Sequence, residues 1–528
     1  MPGHERVPVT FAPGGITVWV ERGSTIIEAA RIAGVVVPAP CGGRGVCGAC
    51  GVRVLSGRPL PPDESEKRGL APAPSGVRLA CRALVDGPLE VLPLVNRSVS
   101  SAAAGQVVRD AALVAAVDLG TTTVSAVLVG ASTGRELGRA TVANRQQAWG
   151  SDVLSRLTAA MDGASSQLAL AAEESILEAL CAACDRTGTC TSRIDRLVVA
   201  GNTAMVALLT RVDVSSLAHA PFAIPSGMDA AALSGPLADE LSDGCELVLV
   251  PAIASFVGGD ITAGLLSSGL VGQEGVALLV DIGTNAEIAF SGRGRLVVSS
   301  AAAGPAFEGF GISSGGPWAP GAIERVEMRE ADLEPIVAGG GDPLWLCGSG
   351  LLSTIALLRR LGHLTADGRM VADGPLGDRF TRRDDIVAFR MGHAGHGPYL
   401  LQTDVRTFQT AKSAVAAAVV TTLRSAHIKP KALTRICVAG TFGGSLAVED
   451  LVELGVLPID RQESIEFVGD AALLGAAMLA FDPSLAESTT ELTRAAQHIE
   501  LASEPDFAQS FVAHTALEPF KLVRGLFG

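Results

Sequence analysis

The sequence predicts a multidomain α/β and α+β protein: a small strand-rich unit at the amino end, a linker, and a large α/β region built on a repeated strand–turn–strand element. Three observations carry this. At 528 residues, with 48% hydrophobic content and a mean hydropathy of +0.37, the chain can bury several cores, and its length corresponds to about three or four domains. Cysteine use is uneven, with Cys41, Cys47, Cys50 and Cys81 in the first 81 residues and the other six of the ten scattered beyond. Finally, "LVAAVDLGTTTVSAVLV" (113–129) and "ALLVDIGTNAEIAFSG" (277–292) each read as a strand, an Asp-x-Gly-Thr turn and a second strand.

Taken in order, "VPVTFAPGGITVWVERGSTIIEAARIAG" (7–34) predicts a hairpin and then a helix opened by Ser24. The loop "PAPCGGRGVCGAC" (38–50) carries two overlapping patterns, because Gly43, Gly45 and Gly48 also spell G-x-G-x-x-G. A dinucleotide fingerprint must follow a strand and open a helix. Here the glycines follow "VVVPAP", whose prolines disfavour a central strand, and lead into "GVRVLSG", which alternates like a strand, so the nucleotide reading fails. The cysteines read C-x5-C-x2-C-x30-C, a spacing that wraps an iron–sulfur cluster with three ligands from a tight loop and one from a distant strand. Zinc is the alternative, although its structural sites usually pair cysteines as C-x2-C and Cys81 lacks a partner. "RLACRALVDGPLEVLP" (78–93) returns as strands.

"VNRSVSSAAAGQVVRD" (95–110) has no clear periodicity and reads as a linker, here bounded at 95–112. A net charge of −14 and a pI near 5.1 argue against a nucleic-acid or anionic-membrane surface. The start "MPGHERVPVTFAPGG" lacks the apolar core of a secretory signal, and no unbroken run of about 18 apolar residues appears. A cytoplasmic protein is expected, its cysteines thiols or metal ligands.

The large region has no Gly-Lys pair and therefore no P-loop. Its two Asp-x-Gly-Thr hairpins are another phosphate device: such a turn aims amides and hydroxyls at phosphate oxygens, and the Asp at the strand end can hold hydrated Mg²⁺. Two of them imply a duplicated fold facing a central cleft. "ICVAGTFGGSL" (436–446) ends an apolar strand in a Gly-rich turn, "GDAALLGAAMLAF" (469–481) is a helix with small residues on a packing face, and "GGDITAGLLSSGL" (258–270) is a helix opened by Asp260. Taken singly, Asp118 and Asp281 read equally well as turn caps and Asp260 as a helix N-cap. Elsewhere, Cys181, Cys184 and Cys190 fall along an amphipathic helix that runs into a turn and read as buried or partly buried thiols, His393 and His396 sit in a Gly-rich surface loop, and Cys347 reads as core.

Resemblances sharpen these readings. Residues 1–94 resemble a β-grasp [2Fe–2S] ferredoxin of the adrenodoxin-like branch, which has the longer first gap; this implies Cys41, Cys47, Cys50 and Cys81 as cluster ligands. Residues 113–275 and 276–520, followed by a tail at 521–528, resemble the actin, Hsp70 and sugar-kinase (ASKHA) superfamily, a duplicated ribonuclease H-like ATPase fold. That implies a first phosphate hairpin (Asp118, Gly120, Thr121, Thr122, Thr123), a second (Asp281, Gly283, Thr284, Asn285) and an adenosine turn (Gly440, Gly443, Gly444). Asp260 then positions the attacking water or magnesium. The fusion resembles the reductive activators of corrinoid proteins, through "NRQQAWGSDVLSRL" (144–157), "VVAGNTAM" (198–205), "PAIASFVGGDI" (251–261), "AAAGPAFEGFGISSG" (301–315), "CGSGLL" (347–352), "QTDVRTFQTAKSA" (402–414) and "IELASEPDFAQSF" (499–511). One departure is Ala286, where the family pattern has Gly. The family implies a homodimeric, ATP-dependent reductase that returns one electron to the Co(II) corrinoid of a methyltransferase or O-demethylase system, supplied by an upstream donor. A small-molecule kinase and an Hsp70-like nucleotide switch, each with a redox-sensing or structural cluster, are the alternatives on the same fold.

Overall fold

The computed structural model describes residues 6–12, 16–33, 37, 50–69, 77–93, 100–101, 112–150, 152–228, 232–271, 275–330, 332–392, 397–440, 446–457 and 465–520. The amino-terminal sheet is formed by β1 (Arg6–Phe11), β2 (Ile16–Glu21), β3 (Gly51–Ser56), β4 (Val77–Leu79) and β5 (Leu89–Pro93), with α1 (Ile26–Ala33) and the short α2 (Glu64–Gly69) between strands. Strand order is β2-β1-β5-β3-β4, with β1 parallel to β5 and every other pairing antiparallel. Period-2 alternation buries Val7, Val9 and Phe11 of β1 against Ile26, Ala29 and Ala30 of α1. Helix α1 is opened by Thr25, one residue later than the expected Ser24. Thr25 N–H donates to Glu28 Oε2 at 2.8 Å and Glu28 N–H to Thr25 Oγ1 at 3.3 Å, a reciprocal capping box that Ser24, three residues before Ile27, cannot form.

The rest of the described chain contains two six-stranded sheets of the same design. The first uses β6 (Leu113–Leu119), β7 (Thr123–Gly130), β8 (Arg135–Ala143), β9 (Ile194–Gly201) and β10 (Glu246–Leu249), with helices α3 (Ser165–Asp185), α4 (Thr203–Leu209) and α5 (Gly259–Ser268). Its order is β10-β9-β6-β7-β8, with Ser100–Ser101 at the far edge. The second uses β11 (Val276–Ile282), β12 (Asn285–Gly292), β13 (Arg295–Ala302), β14 (Arg435–Ala439), β15 (Ile465–Gly469) and an edge strand at Ala496–His498; the helices relevant to its site are α6 (Gly348–Arg360) and α7 (Gln402–Ser425). In the first sheet Asp118 pairs with Ser125 antiparallel and Ala200 parallel; in the second Asp281 pairs with Glu287 antiparallel and Ala439 parallel. The duplication therefore extends to the parallel register, where Gly201 and Gly440 both follow the alanine paired with the hairpin aspartate, while the first hairpin turn, 120–123, is one residue longer than the second, 283–285.

The chain divides into two compact units, residues 1–269 with 471–494, and residues 270–470 with 495–528. Helix α8 (Ala471–Phe481), which the sequence grouped with the second half, packs in the first unit. Its Leu473, Ala476, Ala477 and Ala480 share a core with Val114 and Ala116 of β6, Val198 and Ala200 of β9, and Ala263 of α5. A Cβ at Gly475 would stand 2.0 Å from Ala263 O, so glycine is what lets the two helices approach. Among the described residues, no helix is long and apolar enough to cross a membrane.

Candidate functional site

The ladder between β3 and β4 pairs Gly51 with Leu79, and Ala80 N–H donates to Cys50 O at 2.9 Å. Residues far apart in sequence are thereby apposed: Cys50 and Cys81, both buried, hold their Sγ atoms 3.3 Å apart with no disulfide between them. That is well beyond a disulfide of about 2.0 Å and near the spacing of two thiolates on one tetrahedral metal with bonds of about 2.3 Å. Glu66, which the sequence reading overlooked, braces this turn. Its fully buried carboxylate accepts from Leu79 N–H at 2.9 Å and takes a two-pronged ion pair from Arg78 at 2.7 and 2.8 Å. The apposed thiols fit an iron–sulfur cluster; Cys41 and Cys47 lie outside the described residues.

The first hairpin turn closes through Gly120 N–H donating to Thr123 O at 3.0 Å. The "NRQQ" segment supports it from the side. Asn144 Nδ2 donates to Gly120 O at 2.8 Å, Asn144 N–H to Thr122 O at 2.9 Å and Gln147 Nε2 to Thr122 O at 2.6 Å. Asn144 Oδ1 also accepts Gln146 N–H, which caps the short helix Arg145–Trp149. Turn carbonyls are thus held by neutral amide donors.

Asp118 and Asp260 belong to one face of the first sheet. Leu113, Ala115, Val117 and Leu119 point to the α3 and α4 side, while Val114 and Ala116 point to the α5 and α8 side, so period-2 alternation places Asp118 with the latter. The start of α5 is seated on the turn after β9, because a Cβ at Gly258 would stand 2.3 Å from Gly201 O and 2.6 Å from Thr203 N. Thr203 Oγ1 donates to Ala254 O at 2.8 Å, tying "AGNTAM" to "AIASFVGGD". Burial pushes the Asp260 carboxyl up to about 6, against the opposing pull of backbone N–H groups at Ile261, Asp260 and Gly258.

In the second hairpin, Gly283 N–H donates to Asn285 O at 2.9 Å, and Thr284 O accepts from Ala303 and Gly304 N–H at 3.1 and 2.8 Å. Thr284 N–H donates to Glu308 Oε1 at 2.7 Å, and Thr284 Oγ1 lies 3.2 Å from the same oxygen. Glu308 was not singled out in the sequence; its signal was its place inside the family segment 301–315. Glu287, 7% exposed and directly across from Asp281, is a second acid missed there, with Oε1 accepting from Ser300 Oγ at 3.3 Å. Gly440 ends β14 at φ +135°, its N–H donating to Gly469 O at 3.1 Å, whereas Gly443 and Gly444 lie outside the described residues. Cys184 is buried, whereas Cys181 and Cys190 are exposed, against the expectation of buried or partly buried thiols; among the described residues no group of three or more His, Cys, Asp and Glu side chains is arranged to hold a metal ion. His393 and His396 lie outside the described residues; Cys347 is buried.

Comparison with known proteins agrees along the whole length. Residues 9–86 match the 2Fe–2S iron–sulfur cluster binding domain, 113–273 the RACo middle region, and 275–523 the C-terminal domain of RACo, the ASKHA domain. The corrinoid activation enzyme RamQ of Eubacterium limosum is 31% identical over 416 residues, covering 76% of this chain and 69% of that one. A [Co(II) methylated amine-specific corrinoid protein] reductase of Methanosarcina barkeri is 27% identical over 349 residues, covering 60% of this chain and 61% of that one. The solved structure of a reductive activator for corrinoid, iron–sulfur protein superposes with a TM-score of 0.74 at 25% identity, covering 98% and 99% of the two chains. Fold and site together define an iron–sulfur protein with an ASKHA ATPase region. The chain belongs to the RACo family of corrinoid activation enzymes.

Proposed function

We propose that this chain is an ATP-dependent reductase that activates a corrinoid protein by one-electron reduction of Co(II) to Co(I). The observation that carries the reading is the presence, in one chain, of a buried apposed thiol pair on a ferredoxin sheet and two Asp-x-Gly-Thr hairpins whose aspartates take equivalent parallel partners, Ala200 and Ala439. A [2Fe–2S] cluster held by Cys41, Cys47, Cys50 and Cys81 supplies a one-electron couple when bound. Gly120 to Thr123 and Gly283 to Asn285 bind the nucleotide phosphates, Gly440, Gly443 and Gly444 form the adenosine turn, and Asp118 and Asp281 hold Mg²⁺. Asp260, whose carboxyl burial pushes up to about 6, positions the attacking water. Nucleotide binding or hydrolysis supplies the free energy for the uphill reduction by favouring one conformation of the complex with the corrinoid protein. The reading also includes a homodimer working in the cytoplasm and served by an upstream electron donor.

The test is to mix the reduced protein with a Co(II) corrinoid protein and follow loss of the Co(II) electron paramagnetic resonance signal with and without ATP. ATP-dependent loss, together with ATP hydrolysis stimulated by the corrinoid partner, is expected. Loss at the same rate without ATP, or with Cys81→Ser, defeats the reading.

A further inference from the structure

The second hairpin differs from the first in what holds it. Glu308 presents its carboxylate to both polar groups of Thr284, the N–H at 2.7 Å and the hydroxyl at 3.2 Å, and Oε2 lies 3.3 Å from that hydroxyl. It also sits against the turn glycine, since a Cβ at Gly283 would stand 3.0 Å from Oε1. An amide and a hydroxyl on an Asp-x-Gly-Thr turn are the donors a phosphate oxygen would use, and a carboxylate is a competing anion for them. Two anions cannot share these donors, because like charges in contact disfavour each other's ionised forms.

The surrounding backbone leaves little freedom on either side. Thr284 O is pinned by Ala303 and Gly304 N–H. Phe307, fully buried, stacks edge-on against Phe408 with ring centroids 5.4 Å apart. Its carbonyl touches the start of α6 so closely that a Cβ at Gly348 would stand 1.6 Å from it, and a Cβ at Gly309 (φ +84°) would stand 2.2 Å from Gly316 O. With both turns packed, the Glu308 side chain is the part that can move, by rotation about its own bonds.

We propose that Glu308 is an internal anion that occupies the Thr284 donors in nucleotide-free protein, and that nucleotide phosphate binds the second hairpin by displacing this carboxylate. The proposal rests on the reading of that hairpin as a phosphate site. Displacement makes Glu308 a brake on affinity, and it gives the second half of the chain two discrete arrangements, carboxylate on the turn or phosphate on the turn.

The experiment is calorimetric titration of the full-length, cluster-loaded protein with Mg·ADP, comparing wild type with Glu308→Ala, Glu308→Gln and Asp281→Asn. A charge-assisted bond that no longer has to be broken is expected to tighten binding by about tenfold or more in Glu308→Ala. Glu308→Gln, which keeps the shape and loses the charge, is expected to shift in the same direction by a smaller factor. Asp281→Asn, which reports on the hairpin as a phosphate and Mg²⁺ site, is expected to weaken binding. If Asp281→Asn weakens binding while neither Glu308 variant tightens it, the displacement proposal is overturned and the phosphate reading stands. If all three bind like wild type, the phosphate reading fails and the proposal fails with it.

Discussion

Asp260→Asn is expected to make the protein more stable at neutral pH while disabling it. The Asp260 carboxyl titrates at about 6 in the folded chain against an ordinary value of 3.8, principally because the first turn of α5 is buried against the Gly201–Thr203 turn. A folded-state value above the unfolded one means that, between roughly pH 4 and 6, the folded protein keeps a proton the unfolded chain has lost. Stability from this residue is therefore fully present at low pH, falls as pH rises through that window, and above it the ionised carboxylate costs about 3 kcal/mol. An asparagine avoids that cost. At pH 7.5 the variant should melt higher, by an amount on the order of 5 to 10 °C for a unit of this size, and its midpoint should vary less than that of wild type between pH 4 and 6. ATP hydrolysis should fall by about 100-fold or more, as for loss of a group that orients a reacting water. The assay is thermal unfolding of nucleotide-free protein across a pH series, with steady-state hydrolysis alongside. A variant that melts no higher than wild type at pH 7.5, or whose pH profile runs parallel to it, refutes the reasoning.

Three further outcomes follow from the same contacts. Cys81→Ser is expected to lose the visible iron–sulfur absorbance while retaining Mg·ATP affinity, and unchanged absorbance would remove Cys81 from the ligand set. Gly475→Ala places a Cβ 2.0 Å from Ala263 O, backbone against side chain with no rotamer to relieve it, and should destabilise the first unit by about 1 to 3 kcal/mol in thermal unfolding; an unaltered melt would show that α8 and α5 are not closely packed. Asn144→Ala removes the donor to Gly120 O and the cap of Arg145–Trp149, so it should cost about 1 kcal/mol and weaken nucleotide binding measurably by titration, and wild-type affinity would argue against the brace.

What the sequence made legible was local. Each hairpin is one strand, a turn with its own punctuation and a second strand, so the placement of Asp118 and Asp281 at strand ends needed no distant contact. The Thr25–Glu28 capping box was also available, since Thr-x-x-Glu satisfies the reciprocal pattern and Ser24 followed by Ile27 does not. Glu66 and Glu308 were not legible, because each acts across a turn whose position depends on register or packing elsewhere: Glu66 on the β3–β4 ladder, Glu308 on the close approach of α6 to Phe307. The membership of α8 was hidden for another reason. Its residues are small and apolar on nearly every side, so its pattern gives no direction for the face that meets β6 and α5.

The two hairpins share strand order and the parallel register of their aspartates yet are braced in chemically opposite ways, and the difference bears on how each could meet a phosphate. Around the first, neutral amide groups of Asn144 and Gln147 donate to turn carbonyls, contacts that an arriving phosphate does not contest because it seeks donors itself. Around the second, Glu308 accepts from the turn amide and hydroxyl, the groups a phosphate would claim. A duplicated fold braced identically in both halves would bind nucleotide without having to change either. On the proposed displacement the second hairpin gives up Glu308, so part of the free energy of nucleotide binding goes into a rearrangement of that half. For a protein proposed to drive an uphill electron transfer, that is the half in which a change of nucleotide state can be converted into a change of structure.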